Sequence, residues 1–341
     1  MTHELRAIVY GVGAMGSIVT RLLLDKGVKI VGAVGRSADK VGRDLGKVTG
    51  LERNIGVTVD ADPKLALNAG ADIAVVCVSS YLEAMRDHFA VCLEHGVNVV
   101  TTEEETVYPW TTAPDLAVEL DAIAKANGVT LAASGCQDVF WLHLVGTLLG
   151  ASHTVEAVEG HCSWNVNDFG PEVAEHVHVG NTAEAFERHV AEKGWPEFVA
   201  RQNLEALVAE LELSVADVSS QVSPVLAVEP TYCQSLDRLV SPGQMLGTVD
   251  TTEIETKEGL RFKFSMEGRV YREGETDINE WHVRGEPELH LRNDRVPYRF
   301  ATCSSVVNRI PDVLKAEPGL ITLDRLGKPS YKHGALGKYL S

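Results

Sequence analysis

The chain has 341 residues, 45% of them hydrophobic and 23% charged, with a formal net charge of -17 from 31 basic and 48 acidic residues. This length predicts about two domains with sizeable cores, and the apolar content excludes disorder as the main theme. The acidic balance argues against a nucleic-acid partner, and the longest apolar stretches (73–78 and 142–149) fall short of the roughly 20 residues a membrane span needs.

Residues 1–6 show no long apolar run ending at a small-residue cleavage site, so no signal peptide is expected. The cysteines at 77, 92, 136, 162, 233 and 303 are scattered and form no C-x-x-C pair. That usage predicts reduced thiols in a cytoplasmic protein and no structural zinc.

Taken in order, residues 6–10 form a short apolar run before a glycine cluster. Residues 17–26 carry Ile18, Leu22 and Leu23 at helical spacing, closed by Gly27. Residues 28–34 are β-branched and read as a strand. Asp62 and Pro63 predict the start of a short helix over 64–68. Strands at 71–78, 98–101 and 129–133 alternate with helices at 82–94 and 115–126. Strands separated by helices of this size imply a doubly wound parallel sheet, the Rossmann arrangement, covered on both faces.

The pattern changes near residue 150. Residues 154–166 read as a strand, and 183–212 are helix-rich with a break at Gly194-Trp-Pro196. From 245 to 291 apolar and polar residues alternate with period two, separated by Gly259, Gly268 and Gly274. An α/β chain is therefore expected, with a dinucleotide-binding domain over 1–150 and an α+β domain on an antiparallel sheet over 151–301. A helix over 302–314, within a 302–325 segment, is expected to return to the first domain.

Gly11-Val-Gly13-Ala-Met-Gly16 follows the first strand and opens the first helix. Gly11 permits the tight turn, Gly13 clears space for a pyrophosphate, and Gly16 lets helix and strand approach. The N–H groups of Val12, Gly13, Ala14 and Met15 then face the anion with the helix dipole behind them. At the end of the second strand no acid occupies the expected place; Arg36, Ser37 and Lys40 stand there instead. That predicts NADP in preference to NAD, with NAD use still open because Arg36 can stack on an adenine. Ser79 and Ser80, then Thr101 and Thr102, then Gly135 and Gln137 follow later strands and should line the cofactor cleft. Asn308 joins the expected cofactor contacts.

Glu103, Glu104 and Glu105 end a buried strand, and alternation predicts that only one of them faces inward. Such a carboxylate can hold an ammonium or iminium, or accept a proton. Phe140, Trp141, Trp164 and Phe169, with Gln137 and Asp138, form a candidate apolar substrate pocket; core packing is the plain alternative for each aromatic. His176-x-His178 with Glu172 and Glu175 lacks catalytic metal spacing, so no metal is expected. No Ser-His-Asp constellation stands out.

These segments together resemble the dihydrodipicolinate-reductase-like dehydrogenases, and within them the 2,4-diaminopentanoate dehydrogenases and native NAD(P)-dependent amine dehydrogenases. The likeness rests on the glycine motif, Asn98-Val-Val-Thr-Thr-x-Glu-Glu with Tyr108-Pro-Trp, Gly135-Cys-Gln-Asp-x-Phe-Trp141, and Val307-Asn308-Arg-Ile-Pro311. It implies reductive amination of a ketone or aldehyde with ammonia and NAD(P)H, and the reverse oxidative deamination. It places the family's glutamate on Glu104, with Glu105 as the neighbouring alternative. Where the diaminopentanoate branch typically carries Gly-x-Asn-Pro-Gly-Phe, this chain has Gly135-Cys-Gln-Asp-Val-Phe-Trp, which implies a smaller, less charged substrate. The resemblance and general symmetry imply a homodimer. The competing readings are another reductase or homoserine-type dehydrogenase of this architecture, and a non-catalytic NADP sensor.

Overall fold

The computed structural model describes residues 4–196 and 199–340; the first three residues of the N-terminal segment considered above lie outside it. The chain begins with β1 (Arg6–Tyr10), α1 (Ala14–Asp25), β2 (Lys29–Val34), α2 (Leu45–Val48), β3 (Val59–Asp60), α3 (Pro63–Leu67), β4 (Ile73–Val76), α4 (Leu82–Glu94), β5 (Asn98–Thr101), α5 (Pro114–Ala126) and β6 (Thr130–Ala133). Then come π-helical turns over Gln137–His143, α6 (Leu144–Leu149), β7 (Thr154–Asn165), α7 (Pro171–His176), α8 (Ala183–Lys193), α9 (Val199–Glu210) and β8 (Val215–Leu226). The remaining elements are β9 (Thr231–Cys233), β10 (Arg238–Val240), β11 (Met245–Thr256), β12 (Arg261–Arg269), β13 (Ile278–Glu286), β14 (Leu289–Asp294), α10 (Tyr298–Lys315) and β15 (Gly319–Leu320). The chain divides into two compact units, one of residues 1–143 with 299–341, the other of 144–298.

The first unit is a seven-stranded parallel sheet in the order β15-β6-β5-β4-β1-β2-β3. All four residues of β4 are buried, as a central strand covered on both faces requires. One core packs α1 and α10 together through Val19, Leu23, Val306, Val307, Ile310 and Val313. The other packs α4 and α5 through Leu82, Phe89, Leu93, Leu120 and Ala124. Local chemistry sets the helix ends: Asp62 accepts the Lys64 N–H at 3.0 Å with Pro63 at the first turn of α3. The strand order reverses beside β1, so the loops after β1, β2, β4 and β5 open at one end of the sheet, around its switch point.

The second unit carries a six-stranded sheet, β14-β13-β7-β12-β11-β8, and a two-stranded ribbon of β9 and β10. Its pairs are antiparallel except β7 with β12, so the sheet expected to be antiparallel is mixed. In β12 Phe262 and Phe264 point inward while Arg261 is exposed and Lys263 partly so, and α9 packs on β11 and β12. Trp281 stacks on Phe264 with centroids 5.0 Å apart, directly over Gly160, where a Cβ would come within 2.4 Å of the indole. Strand β8 is absent from the sequence reading because five of its twelve residues are polar and it contains Pro224. Both features suit an edge strand, and β8 lies at the edge.

Candidate active site

The glycine turn divides its three positions by space. Gly11 has φ +97°, and a Cβ there would lie 2.2 Å from the Cys77 carbonyl oxygen. A Cβ on Gly16 would lie 1.9 Å from the Gly11 oxygen, so both positions are closed by backbone. A Cβ on Gly13 would meet nothing within 4 Å, and Gly13 caps α1 with no side-chain hydrogen bond. The first-turn N–H groups therefore face open space, with room for the pyrophosphate of a dinucleotide.

Arg36, Ser37 and Lys40 diverge beyond β2. Lys40 Nζ donates to the Val12 carbonyl at 3.0 Å, which ties it to the glycine turn. The Ser37 hydroxyl donates to the Asp39 carboxylate. An acid thus stands two residues beyond Ser37, which the reading of the strand end alone did not weigh. Arg36 crosses to α4, where Nη2 lies 2.5 Å from His88 Nε2.

The three consecutive glutamates separate into different tasks. Glu103 is 1% exposed, and its carboxylate accepts the N–H of Glu105 at 2.8 Å, the N–H of Thr106 at 2.9 Å, and the Thr106 hydroxyl. Burial outweighs these bonds and pushes its carboxyl up to about 8. Glu105 accepts the Leu82 N–H at 2.9 Å, at the start of α4. The expectation of a single inward carboxylate is corrected: Glu103 is the deepest of the three, and Glu105 is engaged as a helix cap rather than available for chemistry. Glu104 takes no part in this capping. Burial raises its carboxyl to about 7, opposed by a hydrogen bond from the Ser80 hydroxyl. It also lies near the Cys136 thiol, which burial pushes up to about 12, with the Glu104 charge adding to the rise. Glu104 therefore stands between the loops after β4 and β6.

Several predicted contacts are engaged within the protein. Thr101 Oγ1 donates to the Val76 carbonyl and accepts the Glu103 N–H, each at 2.9 Å. Thr102 bonds the Cys77 thiol, and Ser79 Oγ lies 3.5 Å from the Tyr81 nitrogen. Gly135 packs between Gln137 and Thr302, and Gln137 is 2% exposed. Asn308 on α10 has its amide oxygen buried with no partner among the described residues, so it retains an acceptor for a ligand.

Asp138 is not a pocket residue. It is fully buried and receives Arg309 in a bidentate pair, Nε to Oδ2 and Nη2 to Oδ1, both at 2.7 Å. Ser134 donates to the same carboxylate at 2.7 Å, and His143 Nε2 accepts from Arg309 at 3.0 Å. Arg309 also bonds the carbonyls of Leu326 and Gly327. This network locks the loop after β6 to α10. The sequence held a signal for it: Arg309 interrupts the apolar stripe of Val306, Val307, Ile310 and Val313, and a buried guanidinium demands a buried acid.

Trp141 is 4% exposed within the π-helical turns, beside the less buried Phe140. Trp164 and Phe169 belong to the second unit and meet edge to face at 5.1 Å. Trp164 lies across Gly268, where a Cβ would approach the ring to 2.2 Å. The rings of His176 and His178 lie tilted against Trp195, and His178 also meets His189.

Comparison with known proteins sets this geometry in a lineage. Residues 140–339 match the 2,4-diaminopentanoate dehydrogenase C-terminal domain, and residues 5–105 match the N-terminus of dihydrodipicolinate reductase. An amine dehydrogenase structure from Mycobacterium smegmatis is 47% identical with a TM-score of 0.92, over 97% of this chain and 98% of that one. The chain belongs to the 2,4-diaminopentanoate dehydrogenase family of amine dehydrogenases. A curated 2,4-diaminopentanoate dehydrogenase from Acetoanaerobium sticklandii is 27% identical over 359 residues, covering 96% of this chain and 94% of the relative. A myo-inositol 2-dehydrogenase from Lactobacillus plantarum, 14% identical at TM-score 0.63 over 95% of this chain and 93% of that one, shares the fold. This member of the family is an oxidoreductase acting on CH–NH2 donors with a nicotinamide cofactor. Among the described residues no helix is long and apolar enough to cross a membrane.

Proposed function

We propose that this amine dehydrogenase carries out reductive amination of small ketones or aldehydes with ammonia, and the reverse oxidative deamination, with NADPH preferred over NADH. The observation that carries the reading is Glu104. It is the one of the three glutamates not engaged in capping, and burial has raised its carboxyl to about 7. A group that gains its charge near neutrality suits a site that must hold a cation and pass a proton.

The first unit is assigned to the cofactor. The first-turn N–H groups of α1 and the open space at Gly13 hold its pyrophosphate, and Arg36 meets the adenosine phosphate. The bound nicotinamide supplies hydride. Ammonia adds to the carbonyl carbon to give a carbinolamine, which takes up a proton and loses water to leave an iminium. Ionised Glu104 stabilises that cation and orients it, while Ser80 holds the carboxylate in place. In the deamination direction the same carboxylate accepts a proton from the ammonium substrate, leaving the free amine that must be oxidised. Phe140 and Trp141, in the turns after β6, are assigned to the alkyl portion of the substrate. The exposed face of the second unit's sheet, bearing Lys263, Glu253 and Arg284, is assigned to a homodimer contact, and the protein to the cytoplasm.

The test is cofactor oxidation followed at the reduced nicotinamide band, with small ketones and aldehydes, with and without ammonium at alkaline pH. Oxidation that requires both carbonyl and ammonia is expected. Oxidation without ammonia moves the activity to a carbonyl reductase. Replacing Glu104 by Ala is expected to abolish turnover while NADPH still binds, and near-normal turnover refutes its role.

A further inference from the structure

The phenol of Tyr10 and the guanidinium of Arg36 lie on opposite sides of one imidazole. Tyr10 Oη is 2.7 Å from His88 Nδ1, and Arg36 Nη2 is 2.5 Å from His88 Nε2. The three residues come from β1, the loop after β2, and α4, so the line they form crosses the end of the sheet beside the glycine turn. We propose that His88 is a positioning residue for cofactor choice: it holds Arg36 in the orientation that receives the adenosine 2′-phosphate. This rests on the reading of Arg36 as the residue that favours NADPH.

Hydrogen-bond chemistry determines the form of the imidazole. A guanidinium has donors only, so Nε2 must accept. Nδ1 therefore carries the proton and donates to the Tyr10 oxygen. That is the neutral ring, and burial together with the Arg36 charge lowers the tendency of His88 to protonate. Tyr10 is 4% exposed and its ring meets His88 edge to face at 5.2 Å, so the far end of the relay is anchored in the core. The rigid end is thus Tyr10, and the end facing solvent is Arg36.

The need for an anchor follows from the surroundings. Ser37 is bonded to Asp39 and Lys40 to the Val12 carbonyl, so neither side chain braces Arg36. A free arginine samples many rotamers and loses them on binding phosphate. The Asp39 carboxylate two residues beyond Ser37 would compete for the same guanidinium. By accepting from Nη2, His88 keeps Arg36 away from that competitor and leaves its other N–H groups to meet a phosphate.

The experiment compares KM and kcat for NADPH and NADH across the wild type, Arg36→Ala, His88→Ala, His88→Gln and Tyr10→Phe. Thermal melts accompany each to show that the variants are folded. His88 is partly exposed on a helix, so its loss is expected to leave the melting temperature little changed. His88→Ala is expected to raise KM for NADPH by about threefold to tenfold, with KM for NADH and both kcat values near wild type. His88→Gln offers a carbonyl oxygen near the place of Nε2 and is expected to recover most of the loss. Tyr10→Phe keeps the ring but removes the oxygen that accepts from Nδ1, and a smaller loss is expected. If His88→Ala leaves the NADPH to NADH ratio unchanged while Arg36→Ala collapses it, the positioning role is refuted and the Arg36 reading stands. If Arg36→Ala does not change the ratio, or the wild type shows no preference for NADPH, both fall together.

Discussion

Replacing Glu104 by Gln tests chemistry and electrostatics in one experiment. The carboxyl is raised from 4.5 to about 7 by burial, with the Ser80 hydroxyl opposing the rise. A difference of that size penalises the ionised form in the folded protein by about 3 kcal/mol. Partial exposure of Glu104 makes this an upper figure. The sign follows from proton counting. Between about pH 4.5 and 7 the folded state holds a proton that the unfolded state has released, so stability falls as pH rises through that window. Gln mimics the neutral acid at every pH. The variant should therefore match the wild type in stability near pH 4 and exceed it by up to about 3 kcal/mol above pH 8. For a unit of roughly 190 residues, that is a rise of about 6–12 °C in melting temperature. Turnover should be lost in the same variant, while the wild-type kcat/KM should rise with pH through about 7 as Glu104 ionises. Melting curves at several pH values and a pH-rate profile supply the readouts. A stability difference that does not change with pH, or a Gln variant that keeps turnover, refutes the argument.

Further outcomes follow from single contacts. Arg309→Leu strands the buried Asp138 carboxylate and should cost about 3–5 kcal/mol in urea denaturation, whereas adding Asp138→Asn should recover much of that loss. Gly13→Ala should change stability by less than about 1 kcal/mol, because its Cβ enters open space, yet should weaken NADPH binding measured by fluorescence titration. Gly11→Ala should impair both folding and binding, since its φ of +97° and the Cys77 oxygen 2.2 Å from the added carbon exclude a side chain. Asp62→Ala should cost about 1 kcal/mol by removing the cap of α3, seen as a lower melting temperature with unchanged kinetics.

Reading the sequence succeeded where the governing interactions are local. The strand-turn-helix at Gly11 to Gly16, the Asp62-Pro63 start of α3 and the buried run of β4 are each set by neighbours a few residues away. Strand β8 escaped notice because an edge strand needs neither alternation nor freedom from proline. The parallel pairing of β7 with β12 was also hidden, because a strand's own pattern does not name its partner. At the site, the run of glutamates was visible but its division of labour was not. Glu105 is assigned by the Leu82 N–H, 23 positions earlier, and Glu103 by the turn that follows it.

The sequence by itself determined a glycine turn between strand and helix, a carboxylate after β5, and a resemblance to amine dehydrogenases. Those features depend on backbone conformation and short spacings, which a linear pattern records directly. The tertiary structure decided which glutamates are taken up in capping bonds, that Asp138 answers Arg309 across 171 positions, and that Arg36 leans on His88 rather than Ser37 or Lys40. The reason is physical: burial and ion pairing act through space, and a side chain's pKa and partners are set by whatever the fold brings beside it.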